Sequence, residues 1–155
     1  MITFRTWQRE DLPWLAQAAT VASWEGLTPA EQAEVDPNFL QESAVEQLRD
    51  VLGGPTGNAV IAETDGRPVG FALGALAPDT STGEPNGLIL SLWVDPARRR
   101  QGVAKGLLQV TEALFGCCDV RKVKLWTPLS NEAVVRLGET TGYVREGVIN
   151  RKQFA

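Results

Sequence analysis

The run Arg98-Arg99-Arg100-Gln101-Gly102-Val103-Ala104-Lys105-Gly106-Leu107-Leu108 sets three arginines, a glutamine and a glycine directly before an apolar-periodic stretch. A helix start exposes unpaired backbone N–H groups at the positive end of the helix dipole, so it holds phosphate without needing cationic side chains. Close approach to that backbone requires residues with little or no side chain, and Gly102 and Ala104 supply them. The run is therefore a competent anion cradle. Neither the G-x-x-x-x-G-K-S/T loop nor the G-x-G-x-x-G turn of the nucleotide-binding folds occurs in it. Gly53-Gly54-Pro55-Thr56-Gly57 looks phosphate-like but leads into a strand pattern, and reads as a helix stop plus a turn.

What the chain lacks bounds the rest of its chemistry. It has no histidine, which removes the commonest general base and metal ligand and excludes Ser-His-Asp and Cys-His hydrolysis. Its two cysteines, Cys117 and Cys118, are neighbours, make a poor structural staple and have no histidine to join them in a zinc site, so no metal is expected. They read as reduced, half-buried helix residues, and at 1.5 Å rise per residue they stand about 22 Å along the helix from Gly102. Of the five tryptophans, Trp93 and Trp126 fall in predicted central strands and read as core. Trp24, beside Gly26 at a helix end, is the candidate wall of a pocket for a cation or an aromatic group.

The elements that position these residues follow from periodicity. A short strand over 2–5 precedes a helix with Asp11 as N-cap and Leu12, Leu15, Ala16, Ala19 and Ala22 in its stripe, ending near Trp24-Glu25-Gly26. Asp36-Pro37 opens a second helix that stops at Gly53-Gly54. Ala59 to Thr64, the Asp65-Gly66 turn and Arg67 to Ala77 predict an antiparallel hairpin. Pro78 to Gly87 reads as a surface loop, and Leu88 to Val94 (LILSLWV) as a central strand buried on both faces. The cradle helix carries Val103, Leu107, Val110, Leu114 and Cys118. A strand over 122–127, a helix capped by Ser130 or Asn131 and ending at Thr141-Gly142, and a last strand over 144–154 complete the order.

With 155 residues, 43% apolar and 22% charged, the composition is that of one globular domain spanning 1–155. The 15 Lys and Arg against 19 Asp and Glu give a net charge of −4, which offers no footprint for nucleic acid and only weakly favours amine partners. No apolar run approaches the roughly 18 residues of a membrane span, and the amino terminus lacks a basic segment followed by a long apolar one. A cytoplasmic protein is the expectation.

The segment Val94-Asp95-Pro96-Ala97-Arg98-Arg99-Arg100-Gln101-Gly102-Val103-Ala104 resembles the acetyl-CoA motif of the GCN5-related N-acetyltransferase (GNAT) family, Arg/Gln-x-x-Gly-x-Gly/Ala after a V-x-P strand end, with Arg99, Gly102 and Ala104 in register. Downstream, Asn131 to Tyr143 resembles the family's other signature, an Asn-led helix ending in Gly-Phe or Gly-Tyr. The resemblance covers essentially the whole chain. It implies an α/β domain with a mixed central sheet of about six strands flanked by about four helices. The implied activity is transfer of an acetyl group from acetyl-CoA to a primary amine of a small molecule or peptide, by direct attack on the thioester. The alternative is a non-catalytic or weakly active acetyl-CoA-binding module of the same fold.

The same resemblance assigns sites. The backbone of Leu92, Trp93 and Val94 would pair with the pantetheine arm. The amides of Arg100, Gln101, Gly102, Val103, Ala104 and Lys105 would hold the pyrophosphate, and Asn131 would contact the CoA arm. The side chains of Arg98, Arg100 and Lys105 either reach outer phosphates or are solvated. A backbone N–H at the splayed strand end, that of Val94 or its neighbour, would be the oxyanion donor. Many members carry a tyrosine acid seven residues after the motif Asn; here that position is Gly138, and Tyr143 occupies an apolar core position. Where relatives place a base Glu, this chain has Leu88 and Trp126. Ser91, Glu84 and Glu25 remain as candidate catalytic groups, with Trp24 lining the acceptor pocket. The sheet edge is either completed by a second copy in a homodimer or left short and exposed.

Overall fold

Asp65 and Gly66, with φ of 52° and 71°, take the two left-handed positions of a two-residue hairpin turn and join β2 (Asn58–Thr64) to β3 (Arg67–Pro78). This hairpin is the middle of one five-stranded sheet in the order β1-β2-β3-β4-β5, in a computed structural model that describes residues 1–147, 149, 150 and 152. β1 (Ile2–Thr6) is antiparallel to β2, and β4 (Pro85–Val94) is antiparallel to β3. β5 (Lys122–Leu125) runs parallel to β4, as a crossover through α4 (Val103–Gly116) allows.

Both faces of the sheet are covered. On one side α1 (Leu12–Glu25) and α3 (Pro37–Gly53) bring Leu15, Ala18 and Leu48 onto Ile61, Phe71 and Leu73, with Trp14 edge-on to Phe71 at 6.3 Å between ring centroids. On the other, Val103 and Leu107 of α4 pack on Val60, Ala62, Ala72 and Val94. α5 (Glu132–Thr140) lies beside α4, where Leu137 and Tyr143 meet Ile89, Leu108 and Phe115. Asp36 caps α3 through the Asn38 amide at 2.9 Å with Pro37 in its first turn, as the sequence predicts.

The structure departs from the sequence expectations in several places. A further helix, α2 (Pro29–Glu34), precedes α3, so five α-helices flank the sheet among the described residues. Thr28 and Glu31 form its reciprocal capping box. It buries no residue and leaves no apolar stripe in the sequence. Asp11 is not a side-chain cap of α1; its carboxylate accepts from the two terminal guanidinium nitrogens of Arg5 at 2.7 and 2.8 Å. Of the expected last strand over 144–154, residues 148, 151, 153 and 154 lie outside the described residues and the others form no strand, so the described residues hold five strands where about six were expected. Cys117 and Cys118 are exposed, because α4 ends at Gly116. β5 ends at Leu125, leaving Trp126 58% exposed rather than in the core.

The expected surface loop is shorter, and its ends are buried. β4 already begins at Pro85, and Asp79 and Asn86 are buried. The Asp79 carboxylate accepts from the Ser81 and Thr82 amides, from Asn86 Nδ2 at 3.1 Å and from Lys122 Nζ at 3.2 Å, which ties the β3–β4 connection to β5. These donors, the Asn86 amide first, hold it well below the usual carboxylate range.

Candidate active site

β4 and β5 are paired only from Asn86 to Ile89 against Lys122 to Leu125, and the Trp126 amide closes the ladder on the Ile89 carbonyl at 3.0 Å. Beyond that point β4 runs on from Leu90 to Val94 with no strand on this edge among the described residues. Leu73 faces Ser91 while Gly74 faces Ile89, so Leu90 is an extra residue, a bulge at the place where the strands part. Bulge and missing partner together make an open, wedge-shaped gap.

Which backbone groups face that gap follows from strand alternation. The Asp95 amide donates to the Val69 carbonyl at 2.8 Å, so residues two and four positions back, Trp93 and Ser91, also turn their peptide groups toward β3. Leu92 and Val94 turn theirs toward the gap. The expectation that three successive residues would all pair with an arm is therefore corrected at Trp93: its backbone is committed to the sheet opposite Phe71. Its indole instead donates to Glu25 Oε2 at 3.1 Å.

At the end of β4, Asp95 caps the turn at Pro96–Arg98 through the Ala97 amide at 2.8 Å. The chain then places Arg100 at φ 65° and Gly102 at φ 81°, two left-handed residues in a connection that opens into α4. Such alternation turns successive N–H groups to one side as an anion-binding nest. Gly102 is the N-cap of α4 and no side chain caps the helix, so its first-turn amides are open. A Cβ on Gly102 would meet no heavy atom within 4 Å, so the glycine answers to its φ and to clearance above the nest. Arg98, Arg100 and Lys105 around it form no ion pair among the described residues. A strand edge with free peptide groups that leads into an amide nest fits a polyamide arm ending in pyrophosphate, the outline of CoA.

Arg99 does not join the nest with its side chain. Its Nε donates back to the Val94 carbonyl at 2.9 Å, and its guanidinium forms an ion pair with Glu25 Oε2 at 2.6 Å. Gln101 similarly turns back, toward the Ala97 carbonyl. Glu25 is thus brought to the gap, at the end of α1. Ser91 is partly exposed, and its hydroxyl has no hydrogen-bond partner among the described residues. Glu84 is not brought there: it is exposed at the opposite end of β4, six residues and about 20 Å of strand from the bulge.

The far wall comes from the β5–α5 connection. A Cβ on Gly26 would lie 3.8 Å from Pro128 Cγ, so the end of α1 meets this connection across the gap. Trp24, the residue before Glu25 in α1, is 39% exposed. Trp126, which the strand pattern assigned to the core, stands exposed at the point where the gap opens. Asn131 caps α5 with Oδ1 on the Val134 amide at 3.3 Å. Leu90, Trp126, Val134, Gly138 and Tyr143 line an adjoining cleft of about 1020 Å³. Tyr143 packs in the cluster behind it and donates its hydroxyl to Glu112 Oε1 at 2.7 Å, and burial, then Glu112, push the phenol up from its ordinary value. Among the described residues no group of three or more acidic or cysteine side chains is placed to hold a metal, and no helix is long and apolar enough to cross a membrane.

Comparison with known proteins agrees with this geometry. The model of the acetyltransferase (GNAT) family matches residues 9–143. The mycothiol acetyltransferase of Clavibacter michiganensis subsp. michiganensis (strain NCPPB 382) is 34% identical over 102 residues, 64% of this chain and 30% of that protein, so the chain spans less than a third of its relative's length in the match. A putative acetyl transferase from Pyrococcus furiosus superposes with a TM-score of 0.84 at 18% identity, covering 99% of this chain and 100% of that one. The aminoglycoside N-acetyltransferase AAC(6')-Iy, solved with CoA, does so with a TM-score of 0.76 at 19% identity, covering 100% and 96%. At these identities the structural likeness is one of fold, while the family match spans most of the sequence: the chain belongs to the GNAT acetyltransferase family.

Proposed function

We propose that this chain transfers an acetyl group from acetyl-CoA to a primary amine in the gap between β4 and β5. The observation that carries this is the free edge of β4 running from the Leu90 bulge into the nest at Arg100–Gly102. Acetyl-CoA would supply the activated thioester. The Leu92 peptide group and the Val94 N–H pair with its arm, and the amides from Arg100 to Lys105 receive the pyrophosphate. Val94 to Leu90 is about 13 Å of strand, so an arm laid along it brings the thioester to the bulge. A backbone N–H at the bulge, rather than that of Val94, is then the oxyanion donor.

The acceptor enters between Trp24 and Trp126, whose faces suit an ammonium or an aromatic amine. Ser91, two residues before Trp93 and with an uncommitted hydroxyl, relays a proton from the amine to water. No side chain at Gly138 protonates the leaving thiolate, so that proton comes through water in the adjoining cleft. One relative is named a mycothiol acetyltransferase and one structural neighbour an aminoglycoside N-acetyltransferase, which makes aminoglycosides natural amines to try. The test is thiol release from acetyl-CoA with aminoglycosides, small primary amines and peptide amino termini. Amine-dependent release is expected. CoA binding without release across the panel would favour the second reading, an acetyl-CoA-binding module, which Gly138 at the acid position supports.

A further inference from the structure

The Glu25–Arg99 pair joins two parts of the protein that the sequence separates by 74 residues. Arg99 lies in the loop that leads from β4 to α4, whereas Glu25 is the last residue of α1, on the acceptor side. Arg99 bonds in two directions at once, with Nε on the Val94 carbonyl and the guanidinium on Glu25, and Trp93 donates to the same carboxylate oxygen. Val94 O faces the gap, so Arg99 occupies the last acceptor on the open edge of β4 and ends the stretch available to a ligand. Removing Glu25 takes away the group that orients Arg99 without touching any residue that faces the arm or the nest.

We propose that Glu25 is a positioning residue for the acyl-donor site: from the acceptor helix it sets the Arg99 strap over the end of β4, and so couples the two halves of the site. The inference rests on the CoA-binding reading above. With Arg99 fixed, the Val94 N–H and the Arg100–Gly102 backbone are already in their binding arrangement, and ligand binding orders less chain. Linkage is reciprocal, so an acceptor that packs on the end of α1 and a donor in the gap favour each other through the same pair.

The experiment is calorimetric titration of the intact protein with CoA, for wild type, Glu25→Gln, Arg99→Lys and the double variant, at low and high salt. Each single variant is expected to weaken CoA binding roughly two- to five-fold, the scale a half-exposed ion pair supports. The double variant is expected to be no weaker than the weaker single. The difference between wild type and Glu25→Gln should shrink at high salt, and in turnover Glu25→Gln should raise KM for acetyl-CoA with little change in kcat. Unchanged CoA affinity in Glu25→Gln, or additive losses in the double variant, overturns the coupling while leaving the donor site intact. A wild-type protein that binds no CoA overturns the donor site and the coupling with it. Thermal unfolding of each variant controls for general destabilisation, and a loss of affinity that tracks loss of fold overturns the positioning role.

Discussion

Tyr143 and Gly138 close the end of α5 on each other: the Tyr143 amide donates to the Gly138 carbonyl at 2.9 Å, and a Cβ on Gly138 would stand 3.5 Å from Tyr143 Cβ. That spacing is ordinary contact, so the helix tolerates a side chain at position 138. That Cβ would also stand 3.7 Å from Leu125 Cδ2, and Gly138 borders the cleft beside the gap, so a ring placed there has to extend past both side chains into the cleft. Gly138→Tyr should therefore fold, and should speed acetyl transfer if thiolate protonation limits it. A well-placed acid is worth about 10²- to 10⁴-fold, so a gain of at least roughly tenfold is expected from an introduced one. Gly138→Phe fills the same space without the proton and should show no such gain. Equal rates for the two variants would mean that protonation is not limiting.

Tyr143, the one tyrosine, has a different task. Its hydroxyl is committed to Glu112 on α4, and its ring packs against the cluster around Ile89, Leu108 and Phe115. Tyr143→Phe removes a partly buried charged-acceptor hydrogen bond, which should cost about 1 to 2 kcal/mol in urea unfolding. Turnover per folded molecule should stay within about twofold. A large drop in kcat at unchanged stability would instead make Tyr143 the acid.

The contrast between these residues shows what the sequence discloses. The turn into α4 is legible because its demands are local: a turn, a small residue and a helix start are all encoded within seven positions. The hairpin is legible for the same reason, since Asp65-Gly66 dictates its own backbone. Helix α2 is hidden because its only mark is the Thr28-Pro29-Ala30-Glu31 capping box, with no buried stripe behind it. Trp126 reads as core because a strand pattern does not reveal where a ladder stops, and β5 stops one residue earlier, at Leu125. The Arg99 strap is invisible in sequence, since its partner lies 74 residues away and is fixed only by the packing of α1 on the sheet.

Gly102→Ala tests the nest apart from charge. The residue sits at φ 81°, where an alanine costs about 1 kcal/mol or more from backbone strain alone, although its Cβ would clash with nothing in the protein. A modest fall in the thermal midpoint is expected, together with a loss of CoA affinity of at least tenfold, because the methyl occupies the clearance above the amides. Gly102→Glu should abolish binding by adding a like charge while the fold largely persists. CoA affinity unchanged in both variants would place the pyrophosphate elsewhere.

Acid stability should report on Asp79, which lies at the end of the sheet away from the gap. Its carboxylate is buried and held by the Asn86 side chain, two backbone amides and Lys122, so its folded value lies below that of the unfolded chain. A group depressed in this way adds stability that is fully present above its unfolded value, near 3.9. That stability is lost as pH falls toward the folded value, because the folded state must then give up donors to take a proton. Asp79→Asn should thus lower the unfolding midpoint at pH 6 to 8 by a constant amount, since a neutral amide loses the ion pair with Lys122 and has one acceptor oxygen where the carboxylate has two. The gap between wild type and variant should narrow steadily below about pH 4. A gap that stays constant down to pH 2.5 would mean that the carboxylate acts through its shape in the turn rather than its charge. CoA affinity at neutral pH should be unchanged, as the cradle stands at the other end of β4.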